Sequence, residues 1–263
     1  MKLLHIPPSK LADRLIVPEL TMHLVVSDVY ATNPVYKQFY DARKAGGDFI
    51  TLDSPAFELA GSEAQVDWDL HLEVALDLNP QEVVLPDDML SGVRTLDWSR
   101  QYARDLRRLG YQGQFMAVPH GANVKEFLEI ASMLANIPGV KTIGLQEEIP
   151  DLFGYTRMQI AVAISRFAPD VKFHYLGVDE SCDDLLEARG VPIIRSCDTA
   201  KFVVWGLNEM LIEPDNVQPY PGRNSLGGRT QYFDWELCTA QQEAAVHTNI
   251  RLWKFYLEGA AHV

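Results

Sequence analysis

Seven short β-rich runs, each followed by a stretch with helical spacing, restrict this chain more than any other feature. The runs are His23 to Ser27, Phe49 to Leu52, Glu82 to Leu85, Gln114 to Val118, Lys141 to Leu145, Lys172 to Leu176 and Pro192 to Ser196. Helix candidates lie between them near 34–45, 63–78, 94–109, 123–136, 155–167 and 181–188. A strand, a crossover helix and a second strand make a parallel pair, so this rhythm indicates βαβ units. We expect an α/β fold of the (β/α)8 TIM-barrel type, a single domain over 1–263, with an open doubly wound sheet as the alternative. The eighth strand is expected from Met210 to Glu213 or from the less regular stretch 214–232, within an irregular region at about 213–233. A final amphipathic helix at about 236–257 would close the ring. No GxGxxG or GxxxxGK[ST] follows any run, so the doubly wound alternative lacks its usual phosphate loop.

The 47% hydrophobic content is ample for such a core. No uninterrupted apolar stretch of about 18 residues occurs, and the apolar part of MKLLHIPPSK is too short for a signal peptide. The expectation is a soluble cytoplasmic protein with no membrane partner. Cys182, Cys197 and Cys238 are widely spaced and form no ligand motif, so free thiols are expected rather than disulfides or a zinc site. The formal charge of −13, from 36 acidic and 23 basic residues, argues against gripping nucleic acid by bulk electrostatics. Local contacts remain open. Arg100, Arg104, Arg107 and Arg108 are read first as a solvated helix face, while Arg223 and Arg229 lie in a glycine-rich stretch that fits either a plain loop or a phosphate contact.

The ends of the runs carry the chemistry. Asp53 closes an apolar run and is followed by Ser54-Pro55-Ala56, which cannot extend a central strand. The other ends are Ser27-Asp28, Pro86-Asp87-Asp88, Pro119-His120-Gly121, Gly144-Leu145-Gln146-Glu147, Gly177-Val178 and Cys197-Asp198. In a parallel barrel all of these face one mouth, where active sites gather. Each has a plainer reading: Asp53 a cap or turn residue, Asp87 and Asp88 helix caps, His120 a core histidine, Asp198 an N-cap. Together they describe a mouth rich in carboxylates. Two carboxylates on opposite sides of such a mouth suit substitution at a sugar anomeric carbon. No HxH, HExxH or three-histidine pattern points to a metal instead.

These residues resemble the tRNA-guanine transglycosylases, and most closely their shorter phage relatives that modify DNA. Asp53-Ser54-Pro55-Ala56-Phe57 looks like the family's second-strand motif, an aspartate followed by small residues and a phenylalanine. Val118-Pro119-His120-Gly121 is similar to its VQGG turn, and Ile143-Gly144-Leu145 to its glycine-leucine turn. His174-Tyr175-Leu176-Gly177-Val178 is similar to YLMGVG, followed in both by an acidic DLLE stretch, here Asp184 to Glu187. The likeness spans roughly residues 22 to 206. There are departures. A gapless match from Gly190-Val191 puts Arg195 where the family has its nucleophilic aspartate; a small register shift brings Asp198 there, and Asp198 is preferred because arginine cannot be a carboxylate nucleophile. His120 stands where the tRNA enzymes carry glutamine, and their C-terminal zinc-binding segment is absent, which favours DNA over tRNA.

The resemblance implies a pentosyltransferase that exchanges guanine for a 7-deazaguanine without an external cofactor. Asp198 would be the nucleophile and Asp53 the proton-transfer residue. Asp87, with Asp88 as near alternative, would read the base, and His120, Gly144, Leu145 and Gly177 would line its site. Lys201, Arg223 and Arg229 would contact phosphates. The partners implied are DNA, or alternatively tRNA, and the incoming base, in the host cytoplasm if the gene is carried by a phage. A homo-oligomer, or a catalytically silent role beside a partner protein, is also open. A carbonyl lyase using Lys201 as a Schiff-base residue fits less well, since Lys201 lies beyond a strand end.

Overall fold

The structure, a computed structural model, describes residues 1–56, 65–177, 183–212 and 235–258. Its elements in chain order are β1 (Lys2–His5), α1 (Ala12–Leu15), β2 (Met22–Val26), α2 (Ser27–Thr32), α3 (Pro34–Ala45), β3 (Phe49–Asp53), α4 (Trp68–Leu78) and β4 (Glu82–Val84). They continue with α5 (Gly92–Arg108), β5 (Gln114–Ala117), α6 (Val124–Ala135), β6 (Val140–Gln146), α7 (Ile149–Phe153), α8 (Arg157–Ser165) and β7 (Lys172–Leu176). The last are α9 (Asp183–Ala188), β8 (Ile194–Thr199), α10 (Lys201–Leu207) and α11 (Ala240–Glu258). The strands form a closed parallel barrel in sequence order, so the chain is a (β/α)8 barrel and not an open sheet.

The seven expected strands are all present, but the eighth is at the other end of the chain. Lys2–His5 pairs with β8 from Lys2↔Ser196 to His5↔Thr199, and with β2 through His5↔His23, which closes the ring. Met210 to Ile212 carry no strand, and the rest of the stretch expected to supply it lies outside the described residues. The expected final helix is α11, whose buried Asn249 accepts from Ile212 N at 2.9 Å and donates to Met210 O at 2.9 Å and Phe202 O at 3.2 Å. Among the described residues no helix is long and apolar enough to cross a membrane.

Local chemistry starts the helices where the loops need them. Asn33 caps α3 by accepting from Val35 N and Tyr36 N, Asp67 caps α4, Asn123 caps α6, and Thr156 with Gln159 forms a capping box on α8. Ser91, and neither Asp87 nor Asp88, caps α5. Outward strand residues such as Ile50, Leu52, Val83, Phe115, Ile143 and Tyr175 belong to the large core beneath the helices. A separate small cluster, Val84, Met116 and Val118 with Leu176 against it, fills the barrel's middle.

Below that apolar band the barrel is polar. Glu82 has no exposed surface, and its two carboxylate oxygens each take an Arg195 nitrogen at 2.7 Å. Thr142 donates to Oε1 at 2.6 Å and Thr51 to Oε2 at 3.1 Å. Arg195 reaches this place because of a β-bulge: Phe173 faces Ile194 and His174 faces Ser196, which leaves Arg195 as the extra residue. Removing one partner of a buried bidentate pair leaves a charge uncompensated, at a cost of about 3–5 kcal/mol. Arg195→Met should therefore lower urea stability by about that amount, and adding Glu82→Met should recover part of the loss.

Burial also holds three histidines neutral. Desolvation lowers His71 and His23 to about 4, and lowers His5 to about 3 with the charge of His23 adding to it. The unfolded chain binds these protons near pH 6.5 and the folded chain does not, so their stabilisation is complete above that pH and is lost as pH falls towards 4. Each should contribute roughly 2 kcal/mol less at pH 5 than at pH 7. Denaturant midpoints should drop steeply between those pH values, and the drop should be smaller in His71→Gln.

Candidate active site at the barrel mouth

The C-terminal strand ends line a cavity of about 130 Å³. Ile6, Leu24, Val26, Val84, Val118 and Leu176 form its apolar wall. Its polar side chains include Asp53, Asp87, His120, Gln146, Glu147, Glu148 and Asp198. Asp53 and Asp198 enter from β3 and β8, with β1 and β2 between them. It is Asp198 and not Arg195 that meets the cavity, because Arg195 stands near the start of β8 and pairs with Glu82 at the opposite end of the barrel.

Asp198 is 6% exposed and is no N-cap: it belongs to β8, and α10 starts after Ala200. His174 meets its Oδ1 at 2.9 Å and the amide of Gly177 donates to the same oxygen at 3.2 Å. Gly177 can aim that amide because its φ of +65° is open to glycine at little cost. The turn is fixed from behind by buried Arg157, which donates to Leu176 O at 3.0 Å and Gly177 O at 2.8 Å and lies over the Tyr175 ring at 4.5 Å.

Asp87 and His120, just beyond the neighbouring strands β4 and β5, form a pair at the mouth, Oδ2 to Nε2 at 2.6 Å. Gln146 braces the loop by donating to Pro119 O at 2.7 Å, with its amide 3.3 Å from His120 Nδ1. His120 is thus a mouth residue rather than a core histidine. Asp53 accepts from Ser54 N at 2.8 Å. Asp88 turns away: it accepts from Leu90 N at 2.8 Å, pairs with Arg94 at 2.5 Å, and takes no part in the cavity lining.

Comparison with protein-family models and with curated proteins found no match to this chain.

The remaining expected residues divide. Gly177 lines the cavity, and Gly144 lies beneath its wall, where an added Cβ would stand 2.8 Å from Leu176 Cδ1 and 3.1 Å from Val118 Cγ2. Leu145 does not reach the site with its side chain, which is fully buried in the core outside the sheet. Lys201 is 2% exposed at the start of α10, so it is placed in the interior and not on a surface offered to phosphates. Arg223 and Arg229 lie outside the described residues, as do Phe57, Val178 and Cys182. Cys197 is buried and Cys238 half-buried. Arg107 is committed to the carbonyls of Tyr111 and Gly113 at 2.7 Å each, whereas Arg100, Arg104 and Arg108 are exposed on α5.

His174 is the site residue that strand-end reasoning passed over. Its signal was a polar residue set between the apolar Phe173 and Tyr175 of a short strand. The space above Gly144 gives a direct test. Gly144→Val should leave the circular dichroism spectrum unchanged, because the first obstacle is the flexible tip of Leu176. If the cavity holds the guanine that the sequence resemblance implies, the substitution should weaken its binding by about tenfold or more, roughly 1.4 kcal/mol, in calorimetry. Unchanged affinity would contradict that expectation.

Proposed function

We propose that the chain is a base-exchange transglycosylase that replaces guanine in nucleic acid, preferentially DNA, by a 7-deazaguanine derivative through a covalent Asp198–sugar intermediate. The observation that carries this reading is the convergence of Asp53, Asp87 and Asp198 on one small cavity from three different strand ends. Two of these carboxylates have one oxygen committed and one left over. The described residues bond Asp198 only at Oδ1 and Asp87 only at Oδ2.

In this mechanism Asp198 Oδ2 bonds to C1′ of the guanosine as the C1′–N9 bond breaks. Guanine leaves with the electron pair, and Asp53 supplies its proton. The incoming 7-deazaguanine gives a proton back to Asp53, and its N9 then displaces the Asp198 carboxylate, restoring the glycosidic bond with net retention. Asp87 Oδ1 accepts from the amino and ring N–H groups of the base, while His120 holds Oδ2. The apolar wall takes the ring faces, and the nucleotide leaves the stack to enter, at a cost of a few kcal/mol. No step calls for an external cofactor.

Denaturing electrophoresis with labelled guanine-containing oligodeoxynucleotide, and separately with labelled tRNA, tests this reading when incoming base is withheld. The wild type should give a shifted covalent band on DNA. Asp198→Asn should give none, because an amide is a far poorer nucleophile, and Asp53→Asn should form it about 10² to 10⁴ times more slowly. A band on tRNA alone would move the substrate to RNA. Equal exchange of radiolabelled base by wild type and Asp198→Asn would overturn the nucleophile, and no exchange on either nucleic acid would favour a silent partner of such an enzyme.

A further inference from the structure

A directional chain of hydrogen bonds crosses the barrel interior and ends on Asp198. An arginine side chain has only donors, so Arg195 Nε must donate to Ser196 Oγ, 3.0 Å away. Its other nitrogens are held in plane by Glu82. Since Ser196 Oγ accepts from Arg195, its own proton can go to His174 Nδ1 at 2.8 Å. The ring then carries its proton on Nε2, facing a carboxylate oxygen that can only accept, at 2.9 Å. His174 has no exposed surface and does not line the cavity, so it cannot exchange protons with a bound substrate.

We propose that His174 is a positioning residue: the Nε2–H tautomer, imposed from Arg195 through Ser196, pins Asp198 Oδ1 and presents Oδ2 to the cavity as the attacking oxygen. The attack rests on the transglycosylase reading, whereas the tautomer and the orientation of the carboxylate stand on the geometry alone. The effect is one of alignment. A carboxylate free to rotate about its side-chain bonds spends little time with an oxygen aimed at the anomeric carbon, and a misplacement of about 1 Å can cost 10²-fold in rate.

Two measurements on the full chain separate this inference from the functional reading beneath it. Imidazole ¹⁵N–¹H correlation spectra, assigned with His174→Gln, should show the His174 proton on Nε2 with Nδ1 as an acceptor, and Ser196→Ala should disturb that signal. In single-turnover adduct formation, His174→Leu should lower the maximal rate about 10- to 100-fold with unchanged substrate affinity. His174→Gln, whose amide can donate to Oδ1, should recover most of it. Should His174→Leu not fold, Ser196→Ala takes its place in the rate measurement and should also be slowed. An Nδ1–H ring, or a folded His174→Leu or Ser196→Ala protein reacting at the wild-type rate, overturns the proposal. A wild type that forms no adduct removes the transglycosylase reading, and the spectra still decide the tautomer.

Discussion

The carboxylate of Glu82, sealed in the barrel with no exposed surface, has to be compensated from within, and that requirement shapes the interior of the sheet. Compensation comes from three other strands: Thr51 on β3, Thr142 on β6 and Arg195 on β8. Arg195 can reach it only as the extra residue of a bulge, and the same bulge sets Ser196 and Asp198 on the inner face. One buried charge at the floor of the barrel is thereby coupled to the orientation of a carboxylate at its mouth. The bidentate geometry matters here because it fixes the plane of the guanidinium, and with it the direction of every donor further along.

Between floor and mouth lies the apolar band of Val84, Met116, Val118 and Leu176. It keeps the lower polar group away from the cavity and gives the cavity a greasy wall, against which a few polar atoms suffice to orient a ligand. Glycines complete the shape. At Gly144 the missing side chain leaves space beside Leu176 and Val118, and at Gly177 the positive φ turns an amide onto Asp198. The acidity of the mouth, with Glu147 and Glu148 beside the aspartates, opposes a phosphate backbone. Binding of nucleic acid on the proposed reading therefore has to rest on a few cations outside the cavity.

Much of this was legible in the residues because a parallel barrel repeats one simple pattern. The runs at 49–52, 82–85 and 172–176 read as strands from their β-branched and aromatic content, and Asp53, Asp87, His120 and Asp198 stood out as polar residues where those patterns stopped. The first strand was not legible. Leu3 and Leu4 are both buried and are followed closely by Pro7-Pro8, so the segment shows neither alternation nor length. Its identity as a strand comes from pairing with β8, almost 200 positions away. Asp88 and Asp87 are equivalent as a sequence pair; bonds to Leu90 N and to Arg94, in the first turn of α5, draw Asp88 away from the mouth. Lys201 could not be told from a surface lysine, because its burial depends on tertiary packing around α10. The role of Arg195 was hidden for a related reason: the bulge that gives it that role is a property of two paired strands, not of either alone.

The most direct test of the account is a census of nucleosides. The protein would be co-expressed with enzymes that make 7-deazaguanine bases, and DNA and tRNA from the same cells digested and analysed by mass spectrometry. The account expects a 7-deaza-2′-deoxyguanosine derivative in DNA that is absent when Asp198→Asn replaces the wild type. DNA and tRNA that both hold only ordinary guanine with every base supplied, or a modification that persists in Asp198→Asn, would contradict it.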